Sequence, residues 1–151
     1  SMLVLAFLFS YWGWKWESTK ARPALKRKPL VSVIIPNYHS LHLKEAVQSA
    51  RELTYPKKEI IVVSDSPLTE KLEGVRVIQN KKRLGKSRAM NLAAQQARGE
   101  ILFFLDSDTV ASPDTLEKLV PWFTPGVAAV SPKFMVRNKE QGHDQHQYAE
   151  Q

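Results

Sequence analysis

Residues Ile101 to Leu105 form an unbroken run of five apolar residues that leads straight into Asp106-Ser107-Asp108. A short, wholly apolar run after a helical stretch reads as a strand buried on both faces of a parallel sheet. Such a strand demands a covering layer on each side. Its carboxyl end lies on the edge where open α/β sheets place their ligands. Two carboxylates one residue apart on that edge repel each other unless a cation sits between them. An oxygen-seeking divalent ion that also binds ligand phosphates meets the need. The plainer alternative is a solvated turn, for which Asp-Ser-Asp is good chemistry.

The chain around this run alternates strand and helix. Leu30 to Ile35 is an apolar, β-branched strand that Pro36 should stop. Ser40 is placed to cap a helix whose inner face is Leu43, Ala46, Val47 and Ala50. Glu59 to Val63 reads as a second buried strand and Val75 to Ile78 as a short third. A helix over Ser87 to Arg98 shows Met90, Ala93, Ala94 and Ala97 on one face, with Gly99 as its stop. After Asp108, Ser112 caps a further helix with Pro113 in its first turn and Leu116, Leu119, Val120 and Phe123 inside. Val127 to Val130 reads as one more strand, and from Asn138 onward no period is visible. The expected fold class is α/β, a doubly wound, mostly parallel sheet over residues 30–137.

Charge is spread unevenly. Six basic residues between Lys15 and Lys28, against Glu17 alone, carry +5 of the chain's +7. The remainder is near neutral, which argues against a nucleic-acid-binding face on the globular part. With no cysteine, the chain has no disulfide, thiolate metal site or cysteine nucleophile. Met2 to Trp14 holds no charge over 13 residues, short of the ~20 needed to span a bilayer. Tyr11, Trp12, Trp14 and Trp16 cluster at its end, as aromatics do at a membrane interface. Residues 1–16 are therefore expected to be part of a transmembrane or interfacial helix, followed by a basic linker at 17–29. The positive-inside rule then places the domain on the cytoplasmic side of the membrane.

No G-x-G-x-x-G follows the first strand, and no G-x-x-x-x-G-K-[ST] occurs. Phosphates must be held another way, and a metal on Asp106 and Asp108 would serve. Asp65 ends the second strand, where it can accept a ring or sugar donor or simply form an Asx-turn. Tyr38, just past the first strand, can stack on a base or stand as a surface tyrosine. Lys86 starts a helix, where a cation opposes the dipole, an uncomfortable place more suited to function than to stability. Arg83 and Arg88 flank it. His39 and His42 read as loop histidines, and His143, Asp144 and His146 as part of a solvated polar tail at 138–151.

Four segments, VSVIIPNY, EIIVVSDSP, NKKRLGKSRAMNLAAQQARGE and ILFFLDSD, occur here in order and properly spaced. Together they resemble the amino-terminal half of a family 2 glycosyltransferase with the GT-A fold. The resemblance implies a nucleoside-diphosphate sugar as donor and Mg²⁺ or Mn²⁺ as cofactor. It assigns Tyr38 and Asp65 to the base and Lys86 to the diphosphate. Asp106 and Asp108 become the DxD pair, Asp108 the more direct metal ligand and Asp106 nearer the ribose and sugar. Gly85-Lys86-Ser87 followed by Ala89 and Asn91, with VAAVSPKFMVRN, is similar to membrane-embedded, polysaccharide-synthase-like members, which implies a polysaccharide or lipid-linked acceptor.

The sequence departs from that pattern at Ser64-Asp65-Ser66-Pro67, where the family often has Asp-Asp-Gly-Ser. Gln-x-x-Arg-Trp is absent, and the chain ends 43 residues after Asp108. The expectation is a donor-binding half whose catalytic base lies beyond the chain end, inactive in transfer on its own. Two other readings stand beside it: a non-catalytic nucleotide-binding module, and a haloacid-dehalogenase-type phosphatase using Asp106 as nucleophile.

Overall fold

In β1 (Val31–Asn37) every residue is buried, so this strand, not the Ile101 run, is the centre of the fold. A computed structural model of the chain describes residues 27–124, 126–127 and 129–130. β1 is followed by α1 (Leu43–Arg51), β2 (Lys58–Ser64), β3 (Arg76–Gln79), α2 (Lys86–Gln96), β4 (Ile101–Phe104) and α3 (Thr115–Leu119). A 3₁₀ turn, Val120–Trp122, continues α3. The four strands pair in the order β3-β2-β1-β4, all in parallel.

Alternation along β1 and β2 divides the core in two. Val31, Val33, Ile35, Ile60 and Val62 pack with Leu43, Ala46, Val47 and Ala50 of α1 and with Leu116 and Val120. Ile34, Ile61 and Val63 face the other way, onto Ala89 and Ala93 of α2. The doubly wound α/β expectation holds. β4, like β3, is an outer strand among the described residues, and Ile101–Phe104 are only half-buried. An unbroken apolar run marks a strand covered on both faces, but it does not tell a central strand from an outer one.

Several boundaries differ for local reasons. Pro36 does not stop β1, which pairs with β2 through Asn37. Odd-numbered residues of β1 bond to β2, as in Val31 N–Lys57 O, and even-numbered ones to β4, as in Leu105 N–Ile34 O. The donor Pro36 lacks would face β4 beyond the last registered pair, Ile34 with Phe104, so nothing is lost. Gly99 is needed for space: a Cβ there would lie 2.5 Å from Ser32 N. α3 starts at Thr115, whose amide donates to Ser112 O at 3.0 Å, and Asp114 takes the cap position foreseen for Ser112. Pro121 removes an amide from the next turn, which tightens to 3₁₀. Val127 is in no strand, because its amide closes a turn on Thr124 O; Ala129 and Val130 are unpaired too, and Ala128 lies outside the described residues.

Residues 1–26, with the expected membrane segment, and the tail carrying His143, Asp144 and His146 lie outside the described residues. Among the described residues no helix is long and apolar enough to cross a membrane. Arg27, the penultimate cation of the basic run, grips Glu100 through a two-pronged pair at 2.6 and 2.9 Å. That fixes the start of the described chain to the amino-terminal edge of β4.

Candidate functional site

Parallel strands deliver their following loops to one edge, and the loops after β1, β2 and β4 meet there. Tyr38, Asp65, Lys86, Asp106 and Asp108 all line a single cleft of about 240 Å³. Arg83 joins them, whereas Arg88, His39 and His42 are not among its lining residues.

Asp65 is held more firmly than an Asx-turn would hold it. Its Oδ1 accepts Asn80 Nδ2 at 2.6 Å, and its Oδ2 accepts the amides of Leu84 and Gly85 at 2.9 and 2.7 Å. Partial burial works to raise its pKa, but these three donors and the nearby Arg83 charge outweigh it and hold the carboxyl below its ordinary value. The turn itself is made by Ser64, whose hydroxyl accepts Ser66 N at 3.4 Å. A carboxylate has about four acceptor positions, so one stays open to a ligand.

The loop that Asp65 grips leads into α2. Gly85 caps that helix at φ 87° and ψ 154°, a region essentially restricted to glycine. No side chain among the described residues caps the helix, and its first turn contains no acid. The helix therefore presents free amides and the Lys86 ammonium together at the cleft, a good match for an anion. Lys86 Nζ rests 2.6 Å from Asp106 Oδ1, with both side chains about half exposed. The cation that the paired carboxylates call for is thus supplied, at Asp106, by the chain itself.

Asp106 and Asp108 flank a tight turn closed by Thr109 N donating to Asp106 O at 3.0 Å. Asp108 is exposed and, among the described residues, accepts only a long bond, 3.3 Å, from the Thr109 hydroxyl. No cluster of three or more metal-ligating side chains exists among the described residues. Two carboxylates beside an open cleft still fit Mg²⁺ or Mn²⁺, which take one or two protein carboxylates when phosphates and water complete the shell. On the far side, Tyr38 is edge-on to His39 and carries the Arg83 guanidinium over its ring, 4.3 Å from the centroid.

Sequence reasoning missed the scaffold beneath these groups. Asn37, 6% exposed, donates from Nδ2 to Ser64 Oγ at 2.8 Å and to Ser66 Oγ at 3.3 Å, tying the ends of β1 and β2 together. Ser66 Oγ also accepts the amide of His39, a non-glycine residue at positive φ, 51°. Polar residues ending buried strands were a usable signal. Ser40, expected as a helix cap, donates instead to Ser107 O at 3.0 Å, and His42 occupies the cap position.

The sequence model of glycosyl transferase family 2 matches residues 32–150. The chain is 35% identical over 104 residues to an uncharacterized glycosyltransferase of Methanocaldococcus jannaschii, covering 60% of this chain and 36% of that one. It is 32% identical over 99 residues to the poly(ribitol-phosphate) β-N-acetylglucosaminyltransferase TarS of Staphylococcus aureus, covering 57% and 17%. Among solved structures, the mannosyltransferase PcManGT of Pyrobaculum calidifontis, in complex with GDP-Man and Mn²⁺, superposes with a TM-score of 0.64 at 28% identity, over 78% of this chain and 40% of that one. S. aureus TarS 1–349 with UDP-GlcNAc gives 0.53 at 29% identity, over 58% and 29%. The chain spans well under half the length of each of these relatives.

Proposed function

The chain belongs to glycosyl transferase family 2, and on that premise we propose that its cleft binds the nucleoside-diphosphate sugar of a metal-dependent sugar transfer. One observation carries the reading: a helix start with Lys86, a carboxylate pair at Asp106 and Asp108, and Asp65 beside Tyr38 open onto the same cleft. Each matches a different part of such a donor. The free amides and ammonium at the start of α2 suit the diphosphate. The remaining acceptor position of Asp65 suits a base donor, and Tyr38 offers a ring face. Asp106 and Asp108 would hold Mg²⁺ or Mn²⁺, which when bound neutralises charge developing on the leaving diphosphate. Solved relatives in complex with GDP-Man and Mn²⁺, and with UDP-GlcNAc, support the same ligand class.

Asp65, Asp106 and Asp108 are the carboxylates lining the cleft, and each already has a task in donor binding. The base that deprotonates an acceptor hydroxyl is therefore sought outside the described residues. The acceptor proposed for the whole protein is a polysaccharide or a lipid-linked sugar. The uncharged Met2–Trp14 stretch and the cations after it support a membrane-attached protein with this domain on the cytoplasmic side. Arg27 is fastened at the amino-terminal edge of β4, and the cleft opens on the opposite, carboxyl edge of the sheet.

Calorimetric titration of UDP and GDP, with and without Mn²⁺, tests the reading. Binding should require the metal and fall at least about tenfold in Asp108→Asn, about 1.4 kcal/mol. Full affinity in chelator would sink it.

A further inference from the structure

The turn bearing the two carboxylates meets β1 before it, α2 through Lys86, and α1 after it. Its following segment runs along α1, where Ala111 N donates to Ser49 Oγ at 3.1 Å and Thr54 N donates to Pro113 O at 2.9 Å. Those contacts hold the segment beyond the turn. Ser40 alone, among the described residues, sends a side-chain hydrogen bond to the turn's own central peptide, from Oγ to Ser107 O at 3.0 Å.

That peptide matters because of what a four-residue turn can do. With Asp106 O accepting Thr109 N, the Ser107–Asp108 peptide is the central one. Rotating it exchanges type I and type II geometry, and type II asks for positive φ at the third residue. Asp108 is not at positive φ; His39 is the described non-glycine residue that is. The direction of the Ser107 carbonyl thus reports, and when bonded fixes, the orientation of both flanking side chains. Ser40 is itself well rooted. Its amide donates to Asn37 Oδ1 at 3.3 Å, and its hydroxyl accepts His42 N at 3.3 Å, which leaves the hydroxyl proton for Ser107.

We infer that Ser40 is a positioning residue for the carboxylate turn: its hydroxyl holds the Ser107 peptide in one orientation and so sets the span between Asp106 and Asp108. The inference rests on the donor-binding reading and adds ion selectivity to it. Mg²⁺ demands near-ideal octahedral geometry at 2.0–2.1 Å, whereas Ca²⁺ accepts irregular shells at 2.3–2.6 Å. A turn held in one state favours the stricter ion, and a turn free to flip loses that preference.

The test is titration of UDP and GDP into the chain with Mg²⁺, with Ca²⁺ and with chelator, for the parent, Ser40→Ala, Ser40→Thr and Asp108→Asn. Ser40→Ala should lose about threefold to tenfold in Mg²⁺-supported affinity, the worth of one neutral hydrogen bond, and distinctly less with Ca²⁺. Ser40→Thr keeps the donor and should stay near the parent. The Mg²⁺-to-Ca²⁺ ratio is measured well below melting, so a general loss of stability, which scales both, does not imitate the effect. Equal losses with both ions, or no loss with Mg²⁺, would overturn the role of Ser40. Unchanged metal dependence in Asp108→Asn would overturn the donor-binding reading instead, whatever Ser40 does.

Discussion

Asp65 Oδ2 accepts the backbone amides of both Leu84 and Gly85, the latter at 2.7 Å. A residue at the end of β2 therefore builds the loop that aims the start of α2 at the cleft. In the proposed donor site, reading a base and shaping the phosphate end would then fall to the same carboxylate, one through its open acceptor position and the other through its occupied ones.

Asp65→Ala accordingly should do more than blur discrimination between nucleotides. It strands two loop amides and Asn80, all only part-buried, a loss of about 1 kcal/mol, the low end of the cost of leaving polar groups unpaired. Thermal melting should drop by several degrees, and UDP and GDP should weaken together. A variant that melts like the parent and merely confuses the two nucleotides would show that the loop does not depend on Asp65.

Gly85 bears the same geometry from the backbone side. At φ 87° and ψ 154° an L side chain is strained even though a Cβ would meet no atom within 4 Å. Gly85→Ala should cost about 1–3 kcal/mol, the range for a residue forced into such a region. Nucleoside diphosphate affinity should fall with it, since α2 would have to re-aim its first turn. Parent-like denaturant midpoints in Gly85→Ala would contradict the strain argument.

Glu59 gives a prediction in pH at the opposite edge. It accepts Ser32 Oγ at 2.6 Å and both the amide and Nε of Arg98, at 2.7 and 2.9 Å, joining β1 and β2 to the turn before β4. Burial pushes its pKa up, but these donors and the Arg98 charge prevail and hold it below the ordinary value. The unfolded chain then takes up the proton first as acid is added. The charge of Glu59 stabilises fully above about pH 4.3, the unperturbed value, and its contribution is lost as pH falls through the lower folded value. Urea midpoints of the parent and Glu59→Gln should differ at pH 7 and converge towards pH 3. A gap that stayed constant with pH would mean the glutamate acts by shape alone.

Much of this was legible in the sequence because period and punctuation agreed. Leu43, Ala46, Val47 and Ala50 proclaimed the inner face of α1, and apolar runs ending in Asp65 and Asp106 pointed to the carboxyl edge of the sheet. Side-chain partners were less legible. Nothing local says that Lys86 reaches Asp106, that Ser40 bonds to Ser107 O rather than capping α1, or that Asp65 serves amides some 20 residues on. Those pairings exist only because parallel strands bring distant loops to one edge. The half-burial of β4 was hidden for the same reason: strand order is a property of the assembled sheet.

The Lys86–Asp106 pair, 2.6 Å from Nζ to Oδ1, sets two cations in competition for one carboxylate. In the proposed donor site, a divalent ion at Asp106 would displace the ammonium, and the released ammonium would suit the diphosphate arriving with the ion. Lys86→Met should therefore split the two affinities in opposite directions. Mn²⁺ alone should bind more tightly, by at most about fivefold, since a half-exposed ion pair is worth about 0.2–1 kcal/mol. UDP and GDP in the presence of Mn²⁺ should bind more weakly, because a charge-assisted contact worth about 1.5–3 kcal/mol is gone. Electron paramagnetic resonance of free Mn²⁺ measures the first and calorimetry the second. If the variant weakens both, Lys86 supports the metal rather than competing with it; if it strengthens both, the lysine has no contact with the diphosphate.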